Sequence, residues 1–285
     1  GEGWAAVAAQ LHGPAGVATD ALGNVFFAES LARRVRRIDA ATGVLTTVAG
    51  SGETGSSRDG GPAVEARFMR PVAVALGADG CLYVSDRDAQ RVRRIDLSTG
   101  IIDTAAGGAP CCGPGDEGPA TAAHLRSPSH LAADTTGGLL IVDGPSRRIR
   151  RVDLATGQIS TVVGNGTFGN PQNGALATEG PLASPSGVAV DPYGNILVGD
   201  GNRVYRVDAG TGRIERIASV SGTVSGLAAD GLGSVYVTDG HFSRIARIDL
   251  PRRTLETIAG TPTSPPPAGT GLAGDGGPAH HPGPR

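Results

Sequence analysis

The chain has 285 residues, a formal net charge of −2 at pH 7 and 25 basic residues, all of which are arginine. The near-neutral charge provides no general attraction to nucleic acid or anionic membranes, and the lack of lysine excludes Schiff-base catalysis by a lysine. No apolar run approaches the ~20 residues of a transmembrane helix. Because the chain starts at Gly1 and has Met69 as its single methionine, we expect a processed product or a piece of a longer protein.

The predicted elements recur in chain order. An apolar run opens at Pro14 and comes back four times, so that the starts are spaced by 57, 57, 57 and 39 residues. We therefore divide the chain into an incoming linker (1–13), a repeat region (14–260) and a Pro/Gly-rich tail (261–285). The five repeats are predicted to start near residues 14, 71, 128, 185 and 224.

Each repeat carries four short β-strand patterns. In the fourth repeat, Pro185–Val190 is followed by a Gly-Asn turn, Ile196–Val198, Arg203–Asp208 and, after a Thr-Gly turn, a last apolar run. Gly and Asn tolerate the positive φ of tight hairpins, and no helical period separates the strands. Four hairpin-linked strands of this length predict a propeller blade, which must stack on its neighbours to bury both faces.

The sequence Pro185-Ser186-Gly187-Val188-Ala189-Val190-Asp191, then Gly194-Asn195, then an apolar run ending in Asp200 and an Arg-rich strand, resembles the NHL-repeat propellers. This resemblance implies an all-β fold of NHL-type four-stranded blades, of which five are visible. Either five blades close on themselves or a sixth lies outside the chain. The family includes protein binders, RNA binders and a few enzymes, so the resemblance leaves function open.

Charged residues recur at fixed blade positions and are predicted to be structural. A buried ion pair is costly to break, and bidentate guanidinium–carboxylate contacts between blades would satisfy both partners. The functional alternative is a phosphate-binding surface of an RNA-binding NHL domain, which we do not expect because each arginine has an acidic counterpart. The predicted inter-blade pairs are Arg34, Arg91, Arg148, Arg203 and Arg244 with Glu29, Asp86, Asp143, Asp200 and Asp239.

No catalytic, metal or cofactor site is predicted. His130 replaces the glycine found at Gly16, Gly187 and Gly226 and is a candidate for the wall of a central channel. A catalytic zinc needs ~three protein ligands, whereas the positions matching the histidine cluster of NHL-like amidating lyases hold Gly or Ala here. A metal-dependent lyase or hydrolase working in the channel is therefore the alternative and not the preferred function.

Long linkers distinguish the chain from a bare propeller. They span 50–70, 107–127, 164–184 and 260 onward, and only the one near 219–223 is short. Asp59 and Asp116 precede Ala-rich pieces and are predicted to cap helical turns. Since loops on a rigid scaffold commonly carry recognition, we expect the long-loop face to bind protein partners or further copies of the chain, as an oligomer or filament.

Two features indicate an extracellular or cell-surface protein. Asn165-Gly166-Thr167 is an N-glycosylation sequon. Ser264-Pro265-Pro266-Pro267 resembles the glycosylated Ser-Pro segments of extracellular matrix proteins, although a stiff linker gives the same pattern. The state of Cys81, Cys111 and Cys112 stays open, since an odd number fits a free thiol or an intermolecular bridge.

Overall fold

A computed structural model describes residues 3–110 and 113–260. The predicted fold class is confirmed, because the chain is an all-β five-bladed β-propeller with four-stranded antiparallel blades. Cys111, Cys112 and the candidate glycosylation sites Pro265, Pro266 and Pro267 lie outside the described residues. The chain divides into two compact units, Gly1–Val163 and Gly164–Arg285.

The first unit contains blades 1 to 3, each with a two-residue strand contributed by the preceding linker. The strands of blade 1 are β1 (Trp4–Ala5), β2 (Pro14–Thr19), β3 (Val25–Glu29), β4 (Arg34–Ile38) and β5 (Val44–Ala49). Those of blade 2 are β6 (Gly61–Pro62), β7 (Pro71–Leu76), β8 (Cys81–Asp86), β9 (Arg91–Asp96) and β10 (Ile101–Gly107). Those of blade 3 are β11 (Gly118–Pro119), β12 (Pro128–Ala133), β13 (Gly138–Asp143), β14 (Arg148–Asp153) and β15 (Gln158–Val163).

The second unit contains blades 4 and 5. The strands of blade 4 are β16 (Pro185–Val190), β17 (Ile196–Asp200), β18 (Arg203–Val207) and β19 (Ile214–Ser219). Those of blade 5 are β20 (Val224–Ala229), β21 (Ser234–Asp239), β22 (Arg244–Asp249) and β23 (Thr254–Ala259). In the described part of the chain the helices are single 3-10 turns, at Ala6–Ala8, Ala63–Glu65, Ala120–Ala122 and Gly144–Ser146, and none of them could span a membrane.

The Asp-x-x-Thr-Gly segments between third and fourth strands form closed turns. The Asp39 carboxylate accepts hydrogen bonds from the Thr42 backbone N–H at 3.0 Å and from its hydroxyl at 2.9 Å. Gly43 follows with φ of 67°, a left-handed conformation that costs little only without a Cβ. Asp153 binds Thr156 in the same way. Asp96 accepts the Thr99 backbone N–H at 3.1 Å and the hydroxyl of Ser98 at 2.6 Å, so these hairpins are locally encoded.

Within each unit, successive blades pack face to face through small apolar side chains. We call the surface of a blade that contacts the next blade in the chain its forward face, and the opposite surface its rear face. In the first unit, Phe26, Ala28 and Val35 of blade 1 form a buried cluster with Val74 and Val84 of blade 2. Ala189 and Val204 of blade 4 cluster likewise with Val224, Val235 and Val237 of blade 5.

Neutral hydroxyls add hydrogen bonds across the blade contacts. The Ser30 hydroxyl of blade 1 donates to the Pro71 carbonyl of blade 2 at 2.5 Å, and the buried Ser85 hydroxyl donates to the Pro128 carbonyl of blade 3 at 2.6 Å. In the second unit, the Ser186 hydroxyl donates to the Val224 carbonyl at 2.6 Å. The first strands of blades 2, 3 and 5 are thereby each tied at their start to the blade before them.

The long linkers cover the fourth strands, which are the sheet edges. Strand β1 pairs with β5, β6 with β10 and β11 with β15, each antiparallel, and Leu176 bridges Arg213 beside β19. Each long linker therefore covers the blade that follows it. Unpaired edges invite association with other strands. Within the described residues β23 has no such partner, since the linker before blade 5 is short.

Candidate functional site

Carboxylates at the end of the second strand fasten the incoming linker. The Asp86 side chain is fully buried and accepts backbone N–H groups of Arg70 at 2.6 Å and Met69 at 3.1 Å. These hydrogen bonds compensate the buried carboxylate for its loss of water. They also give hydrogen-bond partners to linker N–H groups that lie outside the sheet. The remaining four do the same: Glu29 binds His12, Asp143 binds Arg126, Asp200 binds Ala183 and Ser184, and Asp239 binds Gly222.

The arginines that we expected to pair with these carboxylates between blades lie within the same blades. Each stands opposite its acid on the adjacent strand, because the hairpin sets the last residue of one strand against the first of the next: Glu29 and Arg34, Asp86 and Arg91, Asp143 and Arg148, Asp200 and Arg203, Asp239 and Arg244. This intra-blade placement corrects the inter-blade prediction.

The contacts of these arginines differ from blade to blade. Arg244 forms an ion pair with Asp239 at 3.0 Å, and its guanidinium also lies 4.9 Å from the Phe242 ring. Arg34 donates to the Ser51 carbonyl at 3.3 Å, and Arg148 donates to the Ser146 carbonyl at 3.2 Å. In blade 5 the arginine thus neutralises the acid, whereas Arg34 binds the linker that leaves its blade.

A different arginine anchors the linker at the covered edge. Arg93, in the middle of β9, has a completely buried side chain whose Nη2 lies 2.5 Å from an Asp59 carboxylate oxygen. The second Asp59 oxygen accepts the Thr104 hydroxyl at 2.7 Å. The guanidinium also lies 6.0 Å from the ring of Phe68 in the same linker. Asp59 therefore joins linker, third strand and fourth strand in one contact.

Blade 3 repeats this anchor with the same separation of 34 residues. Arg150 is fully buried and binds Asp116 at 2.6 Å, and Asp116 accepts the Thr161 hydroxyl at 2.8 Å. The prediction that Asp59 and Asp116 cap helical turns is wrong, because the turns make no side-chain capping hydrogen bond. The constant spacing of Asp to the middle arginine was the sequence signal that could have identified the pair.

In blade 4, neither residue at the positions of Asp59 and Arg93 is charged. Tyr205 occupies the position of Arg93, opposite Arg216 on β19, and Asn173 of the linker accepts the Arg216 backbone N–H at 2.9 Å. A buried arginine without its acid would be costly. In blade 4 both positions are uncharged, and the linker contact is made to the fourth-strand backbone instead. In blade 5, which has only a short linker, the same position is Ala246.

Asp86, Asp200 and Asp239, three of the carboxylates that hold the linkers, have pKa values shifted in two directions. Burial raises the pKa of Asp86 and of Asp200 above the usual value, against the opposing effect of the backbone N–H donors. Burial also acts on Asp239, but hydrogen bonds from Arg244 and the backbone outweigh it and lower the pKa of that carboxyl. Asp239 therefore differs from Asp86 and Asp200 in the direction of its pKa shift because it is paired with Arg244.

The other predicted site residues are not brought together. His130 is half-buried on β12, its Nδ1 makes no hydrogen bond, and desolvation lowers its pKa. Asn165 is exposed; its side chain donates to the Glu179 carbonyl at 2.7 Å and accepts the Thr167 hydroxyl at 2.6 Å. Cys81 is a buried free thiol whose pKa burial raises to about 11. Residues 3–110 and 113–260 contain no cluster of three or more potential metal ligands.

Large apolar side chains project from the anchored linkers. Val7 is 98% exposed and Trp4 65% exposed in the first linker, and Val64 is 51% exposed in the second. Backbone hydrogen bonds hold these segments, for example Ala6 N–H to the Gly43 carbonyl at 2.8 Å and Ala63 N–H to the Gly100 carbonyl at 2.7 Å. The linkers of the first unit therefore present apolar groups on a fixed backbone.

No family model matches the chain. It is 31% identical over 187 residues to Teneurin-3 of Danio rerio, covering 58% of this chain and 6% of that protein. It is 28% identical over 164 residues to NHL repeat-containing protein 2 of Bos taurus, covering 54% and 22%. It is 27% identical over 142 residues to the chloroplastic Protein SUPPRESSOR OF QUENCHING 1 of Arabidopsis thaliana, covering 47% and 13%. The chain thus spans less than a quarter of each of these relatives.

Solved structures that share the fold include the following two. A chain of a nidogen/laminin complex aligns with a TM-score of 0.63 and 14% identity, covering 86% of this chain and 79% of that one. A catalytically inactive virginiamycin B lyase from Staphylococcus aureus, solved with quinupristin, aligns with a TM-score of 0.57 and 16% identity, covering 86% and 69%. At these identities the likeness concerns the fold alone. Together with the named NHL relative, it confirms the predicted resemblance to NHL-repeat propellers.

The ion pair between Asp59 and Arg93 leads to a prediction about the stability of the protein. The variant Asp59→Asn leaves the buried Arg93 without its anion, and we expect the free energy of unfolding to fall by about 3 kcal/mol. This is the lower end of the range for a broken buried pair, because Asp59 is 43% exposed. The double variant Asp59→Asn/Arg93→Tyr copies blade 4 and should recover most of the loss in urea denaturation. Glu65→Gln, which breaks the exposed Arg58 pair, is the matched control; an equal loss there would contradict the anchor.

The pKa shifts predict that these carboxylates titrate on opposite sides of the usual aspartate pKa. Carbon-13 NMR should show Asp86 and Asp200 titrating above 3.8 and Asp239 below it. The contribution of Asp239 to stability is present above 3.8 and is lost as pH falls through its lower folded pKa. Ionisation of Asp86 instead costs stability as pH rises from 3.8 through its raised folded pKa.

The variant Arg244→Met tests whether this arginine is what lowers the pKa of Asp239. It should raise the Asp239 pKa and leave the Asp86 titration, in another blade, as it was. If Asp239 still titrates below 3.8 in the variant, the arginine is not what lowers its pKa.

Proposed function

We propose that this NHL-like propeller is a non-enzymatic interaction module that binds a protein partner through its anchored linkers. The observation that carries the proposal is the exposure of Trp4, Val7 and Val64 on segments held by sheet pairing. Apolar groups on a pre-ordered backbone can be buried by a partner without paying for loop ordering. Aromatic side chains such as Trp4 commonly dominate protein interfaces.

The linkers carry more exposed apolar groups than the turns between first and second strands. Each of three such turns presents one side chain, namely Leu22, Tyr193 or Leu232. The first linker alone presents Trp4 and Val7 within four residues. Single exposed apolar residues are ordinary on soluble proteins, whereas neighbouring ones form a patch that a partner can cover. The linker surface is therefore the better candidate.

The charge distribution supports a protein rather than RNA as the partner. The middle arginines Arg93 and Arg150 are buried against carboxylates, so they are not available to phosphates. The chain as a whole carries a formal charge of −2, and RNA binding depends on a surplus of accessible basic groups. The fold is also found in a nidogen/laminin complex, in which the propeller-like chain was solved together with another protein.

A photocrosslinking experiment tests the linker surface. A benzophenone side chain replacing Val7 or Val64, presented to intact cells of the producing organism, should give protein adducts that excess wild-type protein suppresses. The same probe at Leu22, which is 81% exposed on a turn, is the control. We expect the Val7→Arg protein to fail as a competitor and Leu22→Arg protein to compete fully. Equal adducts from Leu22, or adducts that wild-type protein does not suppress, would refute the linker surface.

We further propose that the module acts outside the cell as a glycoprotein. The Asn165 sequon supports this location because its side chain is exposed, and Ser264 to Pro267 form the second candidate modification segment. A mass spectrum of the native protein should show a glycan on Asn165 and hydroxylated or glycosylated Pro265, Pro266 and Pro267. Unmodified peptides at both places would remove the support for an extracellular setting.

A further inference from the structure

The arginines of the first unit are concentrated at one end of its strands. At this end the second strands finish, the third strands start, and the long linkers reach the first strands. We call residues 30–34, 66–70, 87–91, 123–127 and 144–148, which lie here, the basic end. They contain one acidic residue, Asp88, and nine arginines: Arg33, Arg34, Arg67, Arg70, Arg87, Arg91, Arg126, Arg147 and Arg148.

The other end of the same strands is acidic. The turns between first and second strands and between third and fourth strands contain no arginine in this unit. Six aspartates lie at these turns: Asp20, Asp39, Asp79, Asp96, Asp134 and Asp153. The formal charge of −2 for the whole chain therefore conceals a separation of charge along the strands of the first unit.

The acids near the basic end are too few to neutralise it. Glu29, Asp86 and Asp143 are buried beside it, and Glu53 pairs with Arg67 at 2.5 Å. With these four and the single aspartate of the basic end counted, the arginines remain in excess by four.

Five of the nine arginines form no ion pair within residues 3–110 and 113–260, namely Arg33, Arg70, Arg87, Arg91 and Arg126. Arg70 and Arg126 are exposed, and the other three are half-buried. Their positive charge is therefore accessible to another molecule.

Contacts between blades make the basic end one continuous surface. Arg70 and Arg87 lie side by side, because the Arg87 backbone N–H donates to the Arg70 carbonyl at 3.0 Å. The Ser30 hydroxyl of blade 1 binds the Pro71 carbonyl, next to Arg70. The Ser85 hydroxyl of blade 2 makes the equivalent hydrogen bond to blade 3. The arginines of the three blades therefore belong to a single surface.

The rest of the chain has no run of acidic residues that could cover this surface. The equivalent turns of blades 4 and 5, at 201–203 and 240–244, contain Arg203 and Arg244, and the second unit as a whole has ten acidic and nine basic residues. The residues outside the described ranges include two acids, Glu2 and Asp275. We therefore expect the anion that this surface attracts to come from another molecule.

We propose that the basic end of the first unit binds an acidic polypeptide segment of a partner protein. Every basic residue of the surface is arginine, and a guanidinium can hold a carboxylate through two parallel hydrogen bonds. Leu31 and Met69 lie among the arginines and are 72% and 39% exposed. They can contact apolar side chains of a peptide, which a sulfated polysaccharide does not have.

The composition of the surface favours a peptide over RNA. Proteins bind single-stranded RNA by stacking its bases on exposed aromatic side chains. Phe68 is the one Phe, Tyr or Trp of the basic end, and it is completely buried against the forward face of blade 1. The surface thus provides charge and aliphatic contacts without a platform for bases.

This surface is separate from the linker surface of the proposed function. Val7 and Val64 belong to 3-10 turns whose backbone donates to the Gly43 and Gly100 carbonyls. Those glycines lie in turns between third and fourth strands, at the acidic end of the blades. The inference therefore adds a second binding surface and does not depend on the first.

Fluorescence anisotropy of the full chain with a labelled peptide tests the basic end. The peptide consists of Glu with interspersed Leu, and a second peptide has Gln in place of each Glu. The Glu peptide should bind more tightly and should lose affinity as the NaCl concentration rises, because salt screens the attraction. Arg70→Gln/Arg87→Gln should lower this affinity by about tenfold or more, since each change removes a charge-assisted hydrogen-bond donor.

The variant Arg58→Gln/Arg252→Gln is the control with the same change in net charge. Both side chains lie outside the basic end and are 49% and 79% exposed, so peptide affinity should stay as in the wild type. Arg126→Gln, at another exposed position of the basic end, should weaken binding on its own. Circular dichroism and thermal melting check that the variants are folded.

Three results would overturn the inference. The first is a Glu peptide that binds no better than the Gln peptide, and the second is an equal loss of affinity in the control variant. The third is tighter binding of a heparin fragment or an oligouridylate than of the Glu peptide. Val7→Arg, which removes the linker surface, should bind the Glu peptide at least as tightly as the wild type, so failure of either proposal can be recognised without the other.

Discussion

The contact on which the arrangement of this chain most depends is the anchoring of each long linker to the sheet that follows it. A guanidinium buried as deeply as Arg93 requires an anion, and the chain provides it from Asp59, 34 residues earlier. The same carboxylate binds Thr104 on the edge strand, while Asp86 receives the linker backbone as it returns to the first strand. The whole linker from residue 50 to residue 70 is thereby fixed along the blade edge.

This anchoring explains why the linkers can present apolar groups without collapsing onto the sheet. Ala63, Ala66 and Phe68 turn inward and are completely buried, whereas Val64 lies between them and points outward. The short 3-10 turn at Ala63–Glu65 produces this division, since neighbouring residues of a tight turn point in different directions. The buried side chains fix the position of the exposed ones, which is the condition for specific recognition by a short segment.

The fold could be predicted from the sequence because its determinants are local and repeated. Pro14, Pro71 and Pro128 each open a first strand, and Asp39 with Thr42 and Gly43 closes its own hairpin. Position within a strand was harder to interpret. Arg91, Arg93 and Arg94 lie within four residues, and sequence spacing alone does not show which of them faces a covered edge. Recurrence pointed to Arg91 and Asp86 as a pair between blades, whereas hairpin geometry makes them neighbours within one blade.

Exposure was not predictable for a related reason. Val17 and Val74 occupy the same repeat position and have the same side chain, yet one is open and the other buried. Val74 is buried because Phe26, Ala28 and Val35 of blade 1 pack with it, and no residue within blade 2 encodes that contact. Burial therefore became known only once the packing of the blades within a unit was known.

The neutral anchor of blade 4 has a consequence for how such chains can change. Asn173 and Tyr205 stand at the positions of Asp59 and Arg93, and Asn173 binds the Arg216 backbone instead of a third-strand side chain. Combining Asn with Arg, or Asp with Tyr, at these two positions would leave a charge without the partner that it has in blade 2. A segment cut at the start of a first strand separates the two members of each pair, whereas a cut just after a fourth strand keeps them together. Recombination, duplication or circular permutation should therefore be tolerated at the second kind of boundary, and the inherited module is a linker together with the blade behind it.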